Sequence, residues 1–166
     1  MSGTTFKDRL AYDPAKGEWL DQSRRYLMMR PDALMGIFRT LPEPARSQAL
    51  DALEASIHIQ GGDSARAYLA MGGSGAALLT TIAETAPMLG WGRWTFTHSG
   101  RTLGLTVTNS PFAAGFGPSP TPVCHAIKGM VRAVSGLVIG AETVVEETQC
   151  TATGAHECRF EARAKV

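Results

Sequence analysis

Glu146-Glu147-Thr148-Gln149-Cys150-Thr151-Ala152-Thr153-Gly154-Ala155-His156-Glu157-Cys158-Arg159-Phe160 is the stretch on which the reading of this chain turns. Two strand-like segments flank a short polar turn at Gly154, so a hairpin brings Cys150 and Cys158 to one end of a sheet. The third cysteine, Cys124, stands in Pro122-Val123-Cys124-His125, at the head of an apolar helical pattern, and the protein has no others. Three thiols and the nearby Glu147 carboxylate supply four ligands of the kind that zinc takes in a closed tetrahedral site. Such a site contributes folding free energy. Glu147 and Cys150 have opposite parity along a regular strand, so a bend or strand end is required near Thr148. His125 and His156 each adjoin a cysteine and are substitute ligands for Glu147, since imidazole also binds zinc.

Working outward, Val123, Ile127, Met130, Val131, Val134, Leu137 and Val138 recur three or four apart and predict a largely buried helix. Gly129, Gly136 and Gly140 lie on another side of it and leave room for close packing. Before it, Pro111 to Pro122 reads as a loop rich in Gly and Pro. Before that, Trp94 and Phe96 alternate with polar residues, Ser99-Gly100 marks a turn, and Leu103, Leu105 and Val107 alternate again, which predicts a second hairpin.

The earlier part of the chain reads as helices. Leu34, Ile37, Phe38 and Leu41 share one face after a cap at Asp32, and Leu50, Leu53 and Ile57 line another after Pro44. Gly61-Gly62 is expected to end that helix, with Asp63 capping a further one to about Ala70. Gly72-Gly73-Ser74-Gly75 then joins it to a helix carrying Ala77, Leu78 and Ile82. Residues 1–17 lack periodicity and read as an arm. Together these patterns predict an α+β fold. An antiparallel sheet of two hairpins is covered on one side by helices, in a single domain of 1–166 with an arm (1–17), a mainly helical part (18–90) and a metal-stabilised core (91–166).

Composition narrows the function classes. The 166 residues carry 16 basic and 15 acidic side chains, without a concentrated basic stretch, so direct nucleic-acid binding is not expected. No apolar run is long enough to span a bilayer and no leader pattern opens the chain, which predicts a cytoplasmic protein. An odd number of cysteines, all in one third of the chain, favours metal over disulfides. The Gly cluster lacks dinucleotide-binding spacing, and neither a nucleophile elbow nor an HExxH motif occurs. A filled zinc site leaves no position for a reactive water, so the expected metal is structural and no catalytic residue is assigned. Phe38, Trp91, Trp94, Phe96, Phe112, Phe116, Met130 and Val134 are candidates to line an apolar small-molecule pocket between helices and sheet.

The Asn109-Ser110 step, Pro122-Val123-Cys124, the Gly-rich helix and the run from Glu146 to Phe160 resemble the 4-vinyl reductase domain family, chiefly in the C-terminal half. That family includes ligand-sensing modules of bacterial activators responsive to aromatic compounds and proteins linked to bacteriochlorophyll synthesis. The resemblance implies a Zn²⁺ site at Cys124, Glu147, Cys150 and Cys158, and a hydrophobic, aromatic or cyclic ligand. It also implies a homodimer that acts through a signalling or biosynthetic partner. In the sensors a tryptophan follows the Asn-Ser-like step and a histidine joins it on the phenol; here Pro111-Phe112 follows. A factor that reduces or carries a tetrapyrrole is the alternative implication. A reductase would need a borrowed cofactor, because nothing in these residues suits a flavin or nicotinamide. A scaffold role, as in vesicle-tethering subunits of similar fold, is the third.

Overall fold

A computed structural model describes residues 5–165. The chain divides into two compact units, one up to Arg30 and one from Pro31 onward. In the first, α1 (Phe6–Arg9) is closed by a reciprocal cap in which the Asp8 carboxylate accepts the Thr5 N–H at 3.0 Å. Strands β1 (Leu10–Asp13), β2 (Glu18–Asp21) and β3 (Arg24–Tyr26) then form a three-stranded antiparallel sheet. The Asp13 carboxylate accepts the Ala15 N–H at 2.9 Å, and Gly17, with φ +65°, completes the turn into β2. Residues 5–17 are therefore structured where an arm was expected, and the helices begin at Pro31, not near residue 18. The expected arm's first four residues lie outside the described region. Strands of three or four residues are too short to display a countable alternation, which is why periodicity missed them.

The second unit opens with α2 (Pro31–Thr40) and α3 (Ala45–Ala70). The sequence pattern predicts a break at Gly61-Gly62, yet α3 runs through both. Packing overrides the poor helix propensity of glycine there: a Cβ on Gly61 would stand 3.0 Å from the Met130 methyl. Next, α4 (Gly75–Met88) is capped by Ser74, whose side chain accepts the Ala77 N–H. Strands β4 (Arg93–Ser99) and β5 (Thr102–Thr108) pair as a hairpin. The segment read as a loop contains α5 (Pro111–Phe116), whose N-cap is Ser110 with Pro111 in the first turn.

Helix α6 (His125–Ile139) crosses the unit, and β6 (Thr143–Gln149) and β7 (Cys158–Ala164) follow, separated by a single 3-10 turn at Thr151–Thr153. The strand order β4-β5-β7-β6 joins the two hairpins through antiparallel pairing of β5 with β7. Leu103, Leu105, Val107, Val145, Phe160 and Ala162 point into one core from this sheet. Ile127, Val131 and Val134 of α6 are fully buried in the same core. The other side of α6 lies on α3, and Gly129 is the point of closest approach: a Cβ there would stand 2.4 Å from the Glu54 carbonyl oxygen. Of the three glycines expected to allow close packing, Gly129 alone meets a neighbouring helix, while Gly140 ends α6 at φ +74°. Among the described residues no helix is long and apolar enough to cross a membrane.

Candidate metal centre

Four elements converge at one end of the sheet. The end of β6 breaks register between Glu147 and Gln149, the irregularity that the parity of Glu147 and Cys150 demanded. Glu147 thereby faces the core opposite Phe160, and Cys150 turns inward just past the strand. The Cys150 carbonyl accepts the N–H groups of Thr153 at 3.0 Å and Ala155 at 3.2 Å. Gly154, with φ +97°, then returns the chain to β7, whose first residue is Cys158. Cys124 enters from the N-cap of α6.

The three sulfurs are free thiols with no solvent exposure. Cys124 Sγ lies 3.8 Å from Cys150 Sγ and 3.7 Å from Cys158 Sγ. Ligand atoms of Cys124, Glu147, Cys150 and Cys158 all fall within 4.8 Å of one another, a group able to hold a metal ion. A tetrahedron with metal–sulfur distances of ~2.3 Å has edges of ~3.8 Å, so the sulfur spacing suits a zinc-sized ion. Glu147 is 8% exposed. Its Oε2 accepts the Cys124 N–H at 3.0 Å, whereas its Oε1 is buried without a hydrogen-bond partner. A buried, unpaired carboxylate oxygen beside three thiols is the donor set that a cation satisfies.

Protonation follows the same geometry. Hydrogen bonds from Cys124 and Cys150, helped by the Thr151 N–H, hold the Cys158 thiol far below its ordinary range. The Cys124 thiol is driven up by its contacts with the other two sulfurs and by burial. Burial likewise raises Glu147. The cluster thus presents an anionic sulfur and a carboxyl that gains from a cation. Ser110 Oγ, itself buried, lies 3.3 Å from Cys124 Sγ. Sequence reading gave Ser110 no role at the site; its position as N-cap before Pro111 was the available signal.

The substitute ligands lie elsewhere. His156 is exposed. His125 Nδ1 sits 3.5 Å from both Asp51 Oδ1 and Glu54 Oε2. Glu54, 5% exposed, is also paired with Lys128 at 3.1 Å and Arg132 at 2.8 Å. Burial would raise Glu54, but His125, Arg132 and Lys128 together outweigh it and bring it down to about 2.

The eight pocket candidates do not form one ring. Trp91, Trp94, Phe96 and Phe112 are a connected set: Trp91 meets Phe112 edge-on at 5.0 Å and Trp94 at 6.3 Å, and Trp94 meets Phe96 at 6.0 Å. Trp94 Nε1–H donates to the Trp91 carbonyl at 2.9 Å. Phe38 and Phe116 are buried in α2 and α5, and Val134 is buried in α6. Met130, half-buried on α6, lies against α3 at Gly61. A surface groove of about 400 Å³ runs between α4 and β4, bordered by Leu79, Ala83, Trp94 and Phe96.

Comparison with known proteins agrees with this architecture. Residues 103–164 match the model of the 4-vinyl reductase domain, which shows the resemblance read from the sequence. The chain is similar to the bacteriochlorophyll synthase 23 kDa chain of Cereibacter sphaeroides, 35% identical over 75 residues. That alignment covers 41% of this chain and 36% of the relative, so the chain spans about a third of that protein. Its backbone resembles the phenol-responsive sensory domain of the transcription activator PoxR with phenol, at TM-score 0.79 and 17% identity, over 95% of this chain and 86% of that one. It also resembles a trafficking protein particle complex subunit 3 from Naegleria fowleri covalently bound to palmitic acid, at TM-score 0.55 and 16% identity, over 82% and 95% respectively.

Proposed function

Starting from the 4-vinyl reductase domain match over residues 103–164, we propose that the chain is a zinc-stabilised module that binds a hydrophobic, aromatic or cyclic small molecule and reports or delivers it. It acts in the cytoplasm as a homodimer with a protein partner. Cys124, Glu147, Cys150 and Cys158 hold the ion, which ties β6, β7 and α6 together and has no open position for chemistry. The observation that carries the ligand reading is the likeness to a phenol-responsive sensory domain across nearly the whole chain. The α4–β4 groove supports it: about 400 Å³, with Trp94 and Phe96 offering aromatic surface, it has the size of a small-molecule site. Titration of the purified protein with phenol, followed by calorimetry, is expected to give saturable binding that Trp94→Ala weakens by roughly 10-fold. Absence of heat with phenol and with larger cyclic compounds would overturn this reading.

A second reading is favoured by the 35% identity to a bacteriochlorophyll synthase chain: a factor that carries or reduces a tetrapyrrole. It predicts that the protein takes up a porphyrin tightly and acquires its visible absorption, which the phenol-type reading does not.

A further inference from the structure

We infer that Ser110 is a positioning residue that couples the metal centre to the aromatic cluster of the candidate ligand site, so that occupancy of one is felt at the other. The inference rests on the proposed metal site and is independent of which ligand binds.

The connection runs through one short helix. Ser110 Oγ accepts the Ala113 N–H at 3.4 Å, as the N-cap of α5, and lies 3.3 Å from Cys124 Sγ. Its residue is 2% exposed, so water does not compete for either contact. With a neutral Cys124 thiol, either group is able to donate to the other. A metal-bound thiolate has no proton, so Ser110 O–H becomes the donor and its lone pairs remain for Ala113 N–H. Metal binding therefore fixes the direction of this hydrogen bond and the cap of α5 with it.

Two residues on, Phe112 packs edge-on against Trp91 at 5.0 Å, and the Trp91 carbonyl receives the Trp94 indole N–H. The backbone reinforces the link. A Cβ on Gly92 would stand 2.6 Å from the Thr108 carbonyl oxygen and 2.8 Å from that of Asn109, so the segment carrying Trp91 is seated on the strand end that leads into Ser110. Asn109 itself has φ +58°, which fixes the entry to α5. A change at Cys124 thus reaches Trp91 and Trp94 through consecutive direct contacts, and by linkage a ligand on those rings alters metal affinity by the same factor.

The test uses the full chain with Trp19→Phe, which leaves Trp91 and Trp94 as the emitting indoles. Cobalt(II) reports the sulfur ligands by its sulfur-to-metal absorption, and zinc addition to chelator-stripped protein reports the indoles by emission. In Ser110→Ala the sulfur-to-cobalt band is expected to move to lower energy, because an undonated thiolate gives up charge more readily. Zinc affinity should fall by roughly 10-fold, and the zinc-dependent emission change should be lost. Phe112→Leu leaves Ser110 and Cys124 intact, so it should keep the cobalt band in place while losing the emission change. An unmoved band in Ser110→Ala, or a full emission response in Phe112→Leu, overturns the coupling. The second variant decides the matter if the first does not fold. If the unsubstituted chain shows no sulfur-to-cobalt band, the metal site itself fails, and the coupling fails with it.

Discussion

Glu147→Gln separates a metal ligand from a merely buried carboxylate, because the two roles predict opposite behaviour with and without the ion. Structural zinc contributes about 10–16 kcal/mol to small domains, so one of four donors accounts for about 3 kcal/mol, or roughly 100-fold in affinity. Competition against a chromophoric chelator should register that loss. In the metal-free chain the sign changes. Glutamine still offers an oxygen to the Cys124 N–H and removes a buried charge whose second oxygen has no partner. Stability without metal is therefore expected to stay within about 1 kcal/mol of the parent, or to rise. Burial raises the folded-state value of Glu147 above its ordinary 4.5. Its contribution to metal-free stability is present in full below 4.5 and is lost as pH rises through the raised value. Glu147→Gln abolishes that slope, while in the unsubstituted chain metal affinity increases with pH as the ligand deprotonates. Denaturant unfolding with and without chelator checks both limbs. Equal zinc affinity in the two proteins, or equal destabilisation in both states, would refute the assignment.

Other expectations concern the surroundings of the site. Glu54→Gln should destabilise the chain by about 2 kcal/mol at neutral pH, a figure reduced for the half-exposed Arg132 partner. Since Glu54 is lowered from 4.5 to about 2, the stability it supplies is present above 4.5 and is lost as pH falls toward 2. Unfolding curves of parent and variant should converge there. Gly129→Ala places a methyl 2.4 Å from the Glu54 carbonyl oxygen; forcing α3 from α6 should cost about 1–3 kcal/mol in chemical denaturation. His156→Ala, at an exposed position, should leave the metal content of the purified protein unchanged by elemental analysis.

The sheet was legible because its inner positions alternate strictly: Leu103, Leu105 and Val107 in one strand, Cys158, Phe160 and Ala162 in another. The metal cluster was legible because three rare residues and a carboxylate sat where a hairpin and a helix start bring chain segments together. Even the bend at Thr148 followed from parity alone. What failed were segments whose shape is set by distant partners or by few residues. Gly61 and Gly62 look like a helix end but lie within α3, where a small residue accommodates Met130. The strands before Arg30 are too brief to show a period. The Gly- and Pro-rich segment hid α5 because proline and serine were read as breakers, although Ser110-Pro111 is equally a helix start. The pocket candidates were chosen by residue type, and type does not distinguish Val134, sealed inside α6's contacts, from Phe96 at the edge of a groove.

Native mass spectrometry of the chain purified without chelators tests most directly whether an ion fastens β6 and β7 to α6. One zinc bound per folded chain, released only when the protein unfolds or a cysteine of the cluster is replaced, is the predicted result. A fully folded chain at its metal-free mass, in medium replete with zinc, would contradict it.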